Sequence, residues 1–249
     1  MAAVRFHNRS AILTWHSIDA SGSVISTAPA VFQQQVEWLA ASGLEVAPLA
    51  RAAREPGLVA LTFDDGFANF AEYAAPLLAH HQLPSTVFLV SGYCGRDNGW
   101  PGQSNSVPRL PLLNWSDVRA LHQAGVALGA HSHSHPRLPG LAPGEVKREL
   151  ERSRLEIENQ TGAAVRSFAY PYGATNLAVR RQAAAIFETC VGTELRTARL
   201  PGEPLDNLPR LDMYYLRSHW KWLGSARGDL YLALRAGLRS AKARWTAAG

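Results

Sequence analysis

Short apolar runs alternate with amphipathic stretches along most of the chain. Residues 59–63 (Val-Ala-Leu-Thr-Phe) are apolar or β-branched at every position, the pattern of a strand buried on both faces. That run stops abruptly at Asp64-Asp65-Gly66. Similar runs at residues 11–15, 86–90, 126–130, 167–170 and 190–191 predict further strands, the first of them ending in His16-Ser17. Between them lie helical patterns. Pro29 opens one that runs through Phe32, Val36 and Leu39 and closes near Gly43. Residues 68–81 form another, with Pro76 kinking it. Ser116 caps a helix that runs to Gln123 and ends at Gly125. Residues 145–160 form a charged helix with Leu150 and Leu155 turned inward, and residues 177–187 the last of this series. Residues 91–113, rich in Gly, Pro, Asn and Ser, predict a long surface loop. Strands alternating with helices predict an α/β domain with a parallel sheet and helices outside it.

Composition narrows this picture. The 249 residues are 47% hydrophobic and 18% charged, enough for one sizeable core and against extensive disorder. Cys94 and Cys190 make neither a disulfide framework nor a metal spacing. The first fifteen residues lack an apolar core segment, so the sequence as it stands predicts no signal peptide, no membrane span and a cytoplasmic location. The net charge of +5 is concentrated. Residues 219–249 hold Lys221, Arg227, Arg235, Arg239, Lys242 and Arg244 against Asp229 alone, six minus one, so residues 1–218 sum to zero. A uniformly basic nucleic-acid binder is excluded by that distribution. Domain boundaries follow from it: a unit at residues 1–218 and a basic amphipathic helix at 219–249. Within the helix, Leu223, Leu230, Leu234, Leu238, Ala241 and Trp245 make one apolar stripe, with Arg235, Arg239 and Lys242 on a different side. A helix packed on the domain with a solvated basic face is the simpler expectation. Peripheral contact with anionic lipid at the inner face of a membrane is the functional one.

The candidate chemistry begins where strands end. Adjacent carboxylates such as Asp64 and Asp65 are costly unless a cation or shared proton compensates them. An Asp-Gly turn is the plain alternative. The second cluster is His131-Ser132-His133-Ser134-His135-Pro136, directly after a predicted strand. If the strand continues, all three histidines share a face and can bind one metal. If the chain leaves the strand into a helical turn, His131 and His135 meet and His133 points away, which the nearby Pro136 favours. A solvated polar loop with no ligand role is the remaining alternative. Two histidines and a carboxylate leave coordination positions open, as a catalytic metal requires, and the same set serves non-haem iron oxygenases. An adjacent carboxylate outside the ligand set would supply the base that hydrolysis needs.

Thr62-Phe63-Asp64-Asp65-Gly66, then His131-Ser132-x-x-His135-Pro136, then Tyr170-Pro171-Tyr172-Gly173 resembles the polysaccharide deacetylase family with NodB homology, carbohydrate esterase family 4. The similarity covers most of residues 10–215. It implies a distorted (β/α) barrel and metal-dependent removal of acetyl groups from an acetylated glycan or lipid-linked saccharide. By position, Asp64 resembles the general base, and Asp65, His131 and His135 resemble the ligands of a divalent metal, zinc being the expected ion. Tyr172 resembles the residue whose backbone N–H helps hold the oxyanion. Leu13-Thr14-Trp15-His16-Ser17-Ile18 resembles the exopolysaccharide subgroup acting on poly-N-acetylglucosamine, in which a histidine of the N-terminal strand is the proposed acid. That assigns the acid role to His16, for which an ordinary histidine pKa of about 6.5 suits the task.

The chain also departs from the family. Where many members carry an arginine before Pro-Tyr-Gly, Ala169 stands here, and Arg210 and then Arg166 are the candidate replacements. No late Leu-x-His occurs; the only histidine after Gly173 is His219. A degenerate glycan-binding domain is the non-enzymatic alternative, supported by the missing arginine. His7, His80, His81 and His122 are expected to be ordinary surface or helix-end residues. Trp100, Trp115, Tyr214, Tyr215 and Trp220 are candidates for a sugar groove, with partly buried structural roles the default for each.

Overall fold

The computed structural model describes residues 6–247, and the side chains of residues 6–238. In chain order the first half comprises β1 (Arg9–Trp15), β2 (Ser17–Ile18), β3 (Ser26–Thr27), α1 (Pro29–Ala41), β4 (Glu45–Val46), α2 (Leu49–Ala52), β5 (Leu58–Phe63), α3 (Ala75–His80), β6 (Ser85–Leu89) and α4 (Trp115–Gln123). The second half comprises β7 (Ala127–Ala130), α5 (Pro143–Thr161), β8 (Ser167–Ala169), α6 (Leu177–Ala184), β9 (Thr189–Val191), β10 (Ala198–Arg199), β11 (Leu211–Asp212), α7 (Met213–Leu216) and α8 (Ala226–Ala247).

Six parallel strands in the order β1-β5-β6-β7-β8-β9 make the curved sheet, with the helices packed outside it. The segment at residues 208–212 joins its two ends. Leu208 bridges Val191 of β9, and β11 pairs in parallel with β1 through Leu13 and Leu211. β10 pairs antiparallel with the start of β1, and β4 runs beside the start of β5. The result is the distorted (β/α) barrel that the family resemblance implies.

Strand alternation divides the core in two. Leu13, Trp15, Leu61, Phe63, Val87, Leu89 and Phe168 face the helices, in one large cluster with Phe32, Val36 and Leu39 of α1. There Trp15 stacks on Phe63 at 5.3 Å, with Phe32 and Phe70 edge-on to Phe63, and the Trp15 indole N–H donates to Gln35 Oε1. The other face of each strand lines the barrel interior, where Ile12, Ala60, Phe88, Ala169 and Val191 form a second cluster. Thr14 and Thr62 continue those inner rows, and one step further lie His16 and Asp64.

Two local expectations are corrected. The N-cap of α4 is Asn114, not Ser116: its side chain accepts the Ser116 and Asp117 N–H groups while Asp117 accepts from the Asn114 N–H, a reciprocal box. Leu155 is 54% exposed, because α5 buries Val146, Leu150, Ser153 and Ile157 and Leu155 falls off that stripe. The loop over residues 91–113 keeps most of its residues at the surface, as expected, while Trp100 and Leu112 tuck in with Phe67 and Val90 as a third cluster. Around Pro76 the chain is a π-helix at Phe70–Ala74 followed by α3, since proline cannot donate a regular helical hydrogen bond.

Gly129 marks a tight place in the barrel wall. A Cβ there would stand 2.4 Å from the Phe88 ring and 2.9 Å from Ser167 Oγ, so only glycine lets β7 approach. Gly129→Ala is expected to destabilise the chain by about 1–3 kcal/mol through overpacking, read as a lower urea midpoint. An unchanged midpoint would show that Phe88 repacks freely.

Candidate metal centre

The inner rows of β5 and β7 deliver Asp64 and His131 to one end of the barrel, directly beyond Thr62 and Gly129. At that end Asp65, His131 and His135 converge, the group of buried His and acidic side chains among the described residues with geometry for a metal ion. Asp65 Oδ1 lies 3.4 Å from His131 Nε2 and 3.3 Å from His135 Nε2, and the two Nε2 atoms are 3.2 Å apart. Ligands around a four-coordinate ion with bonds of about 2.0–2.1 Å are separated by about 3.3–3.4 Å, so this near-equilateral triangle fits such an ion. The donor chemistry agrees. His131 Nδ1 donates to the Ala169 carbonyl oxygen at 2.7 Å, which leaves its Nε2 lone pair facing the triangle.

Of the two histidine geometries open in the sequence, the second is observed. His133 turns away, and its Nδ1 lies 2.9 Å from Glu156 Oε2 and 3.0 Å from Ser91 Oγ. The turn is not helical, however. Ser132 and His135 have φ of 63° and 59°, and the His135 N–H donates to Ser132 Oγ. Glu149 of α5 accepts three hydrogen bonds from the middle of this turn: the N–H groups of His133 and Ser134 and the Ser134 hydroxyl, at 2.7–2.9 Å. Asp65 and Tyr172 also adopt positive φ, 72° and 58°. Four non-glycine residues in this sparsely populated region thus meet at one site, each held there by its surroundings at a cost of order 1–3 kcal/mol.

Asp64 lies beside the triangle but outside it. Arg210 grips it with both terminal nitrogens, Nη1 to Oδ1 at 2.7 Å and Nη2 to Oδ2 at 2.6 Å. The guanidinium is itself fully buried and also donates to Thr14 Oγ1, Thr62 Oγ1 and the Gly192 carbonyl. His16, half-buried, brings Nε2 to 3.9 Å from Asp64 Oδ2. Arg166, the other arginine candidate, pairs with Glu188 on the exterior. Burial alone would raise the Asp64 carboxyl, but the charge of Arg210 and then of His131 outweighs it and holds the group below its ordinary value. Asp65 is buried likewise, yet the hydrogen-bonding side chains of His131 and His135 hold it well below the usual range.

Aromatic rings enclose His135. Trp100 lies 4.2 Å from it and Tyr172 4.5 Å, centroid to centroid, and the Trp100 indole N–H donates to the Tyr172 hydroxyl. Tyr172 sits in the Pro171–Gly173 turn after β8, and Arg137 covers its ring at 4.6 Å. Of the five aromatic candidates, Trp100 reaches the site. Trp115 opens α4, Tyr214 and Tyr215 pack on each other, and Trp220 lies in the turn before α8. His219 stacks on Trp222 beside α8. Glu149 carried no signal in the sequence, where it was one acid among several on a charged helix.

Known proteins resemble this chain in sequence and in fold. A family model described as Polysaccharide deacetylase matches residues 51–187, more than half of the chain. The YxkH protein of Bacillus subtilis (strain 168) is 24% identical over 173 residues, 66% of this chain and 57% of that protein. Poly-beta-1,6-N-acetyl-D-glucosamine N-deacetylase of Staphylococcus aureus (strain N315) is 21% identical over 125 residues, 47% of this chain and 40% of that one. The chain spans about half the length of the curated relatives it matches. Among solved structures, IcaB from Ammonifex degensii superposes with a TM-score of 0.72 at 21% identity, covering 88% of this chain and 97% of that one. Streptococcus pyogenes deacetylase PplD in complex with acetate gives 0.70 at 21% identity, covering 82% and 92%. Both share the fold. His16 and Arg210 fall outside the residues matched by the family model.

Two outcomes test the centre. Asp65→Ala, His131→Ala and His135→Ala are each expected to abolish stoichiometric metal in elemental analysis, while His133→Ala retains it; metal loss in the last would put His133 among the ligands. Glu149→Ala should weaken metal affinity by about 10–100-fold in a chelator competition, because the turn carrying both histidines loses its anchor. Unaltered affinity would reduce Glu149 to a surface acid.

Proposed function

The chain belongs to the polysaccharide deacetylase family, and from that premise we propose that it removes acetyl groups, N-acetyl above all, from a glycan or lipid-linked saccharide by metal-dependent hydrolysis. Asp65, His131 and His135 would hold the ion, and two imidazoles with one carboxylate at these separations support zinc. Such an ion, when bound, polarises a carbonyl oxygen and acidifies a water molecule.

One observation carries the reading: Asp64 is a buried carboxylate beside the ligand triangle, gripped by Arg210, whose charge holds it below its ordinary value. A carboxylate oxygen that accepts one bond from a guanidinium retains a lone pair. Asp64 therefore takes the proton of the attacking water, and Arg210 keeps it oriented and charged. The Tyr172 backbone N–H donates to the oxyanion that forms on the former acetyl carbonyl. His16, within the same cluster, gives a proton to the departing nitrogen, which leaves as a free amine with acetate as the other product. The silent glycan-binding alternative drew on the absent arginine, and Arg210 makes the equivalent contact from another part of the chain. An oxygenase would have no use for a second carboxylate clamped in this way.

Acetate release from a panel of N- and O-acetylated oligosaccharides and lipid-linked saccharides, without dioxygen and with metal analysis of the same sample, tests the reading. Asp64→Asn should keep its metal and lose acetate release; full activity would sink the assignment of the base. Thermal unfolding of that variant must accompany the assay, because the substitution leaves Arg210 buried opposite a neutral group. His16→Ala should retain metal and lose about a hundredfold or more in turnover. Near-normal turnover of an amide substrate would place the acid elsewhere.

A further inference from the structure

α8 holds to the barrel by one face and leaves another uncovered. Among its described side chains, Gly228 and Leu232 are covered and Asp229, Tyr231 and Ala236 half-buried. Gly228 lies so close to Trp222 that a Cβ would stand 2.1 Å from the Trp222 carbonyl oxygen. The Tyr231 hydroxyl donates to the Tyr215 carbonyl at 2.8 Å, and its ring packs on His219 and Trp222. Leu232 is about 200° round the helix from Leu230. Leu230, Leu234 and Leu238 therefore form a separate stripe, and they are 65%, 62% and 66% exposed. The apolar stripe expected in the sequence is thus split: Leu223 is buried ahead of the helix, and the three leucines face solvent. Ala241, Trp245, Arg239, Lys242 and Arg244 lie outside the described side chains and count here only as sequence.

The charge of this segment is equally one-sided. Residues 219–249 carry six lysines and arginines and one acid, whereas the other 218 residues are neutral in sum. The single acid is turned to the barrel, where Asp229 Oδ2 accepts from Arg9 Nη2 at 2.9 Å. Arg227 and Arg235, both exposed, lie over the rings of Trp222 and Tyr231.

We propose that α8 docks lengthwise on an anionic lipid surface, with Leu230, Leu234 and Leu238 entering the boundary between headgroups and acyl chains. Both halves of the pattern are needed to choose this occupant. A nucleic acid would answer the charge but leave three leucines in water. A second copy of the chain would cover the leucines but set one segment of +5 against another. An anionic bilayer answers both, and it does so independently of the reaction at the metal site.

The test is co-sedimentation of the full chain with vesicles of phosphatidylcholine alone or mixed equally with phosphatidylglycerol. Partition onto the anionic vesicles should exceed that onto neutral ones by about tenfold or more and fall as salt shortens the screening length. Leu234→Asp should lose that binding while keeping metal content and circular dichroism, since its side chain packs on nothing that is needed for folding. Equal partition onto both vesicles, or none onto either, overturns the proposal, and that comparison uses the unaltered chain. Unchanged binding by Leu234→Asp overturns it too. A solution dimer that Leu234→Asp dissociates, seen by sedimentation velocity, would assign the stripe to a second copy instead.

Discussion

Two opposite charges buried against each other, Asp64 and Arg210, are the constraint around which this barrel is built. Neither is tolerable alone: breaking a buried pair by removing one partner costs about 3–5 kcal/mol. The partners lie 146 residues apart in sequence, on β5 and on the segment that joins β9 to β1. Closure of the sheet and satisfaction of the charges are therefore a single event. Thr14 and Thr62 replace apolar side chains in the inner rows because the guanidinium needs acceptors there as well. Beneath them the interior is Ile12, Ala60, Phe88 and Val191; above them it opens onto the site. The polar layer is the boundary between a barrel that is packed and a barrel that reacts.

The metal turn obeys a different logic. Strands fix Asp64 and His131, but Asp65 and His135 reach their places only through left-handed backbone, and those conformations persist because neighbours over-determine them. Ser132 and Glu149 absorb the N–H groups that the turn would otherwise leave unpaired. The folded loop at residues 91–113 adds Trp100 as a wall for His135. Placement by strands gives direction, and the loops supply convergence.

Much of this was legible in the residues. Uninterrupted apolar runs identify β1, β5, β6 and β7, and period-two alternation within them puts Asp64 and His131 on one inner face. Pro136 hints that the histidines do not continue the strand. What sequence could not yield was distance. Arg210 sits in Leu208-Pro209-Arg210-Leu211-Asp212 with nothing local to tie it to Asp64, and β11 is two residues long, below any periodic signal. Glu149 and Trp100 act through tertiary contacts made by a charged helix and an irregular loop. Leu155 and Ser116 were misjudged for a smaller reason: position on a helix face and choice of cap turn on a shift of one or two residues.

The ion pair between Arg9 and Asp229 fixes where the last helix meets the barrel. Arg9 starts β1, and His16 follows its end. A seven-residue strand is roughly 20 Å long, so the Arg9 contact of α8 and His16 lie at opposite ends of the same strand. Under the docking proposed for α8, a tether would reach β1 through the pole that bears Arg9, with His16 at the other pole of that strand.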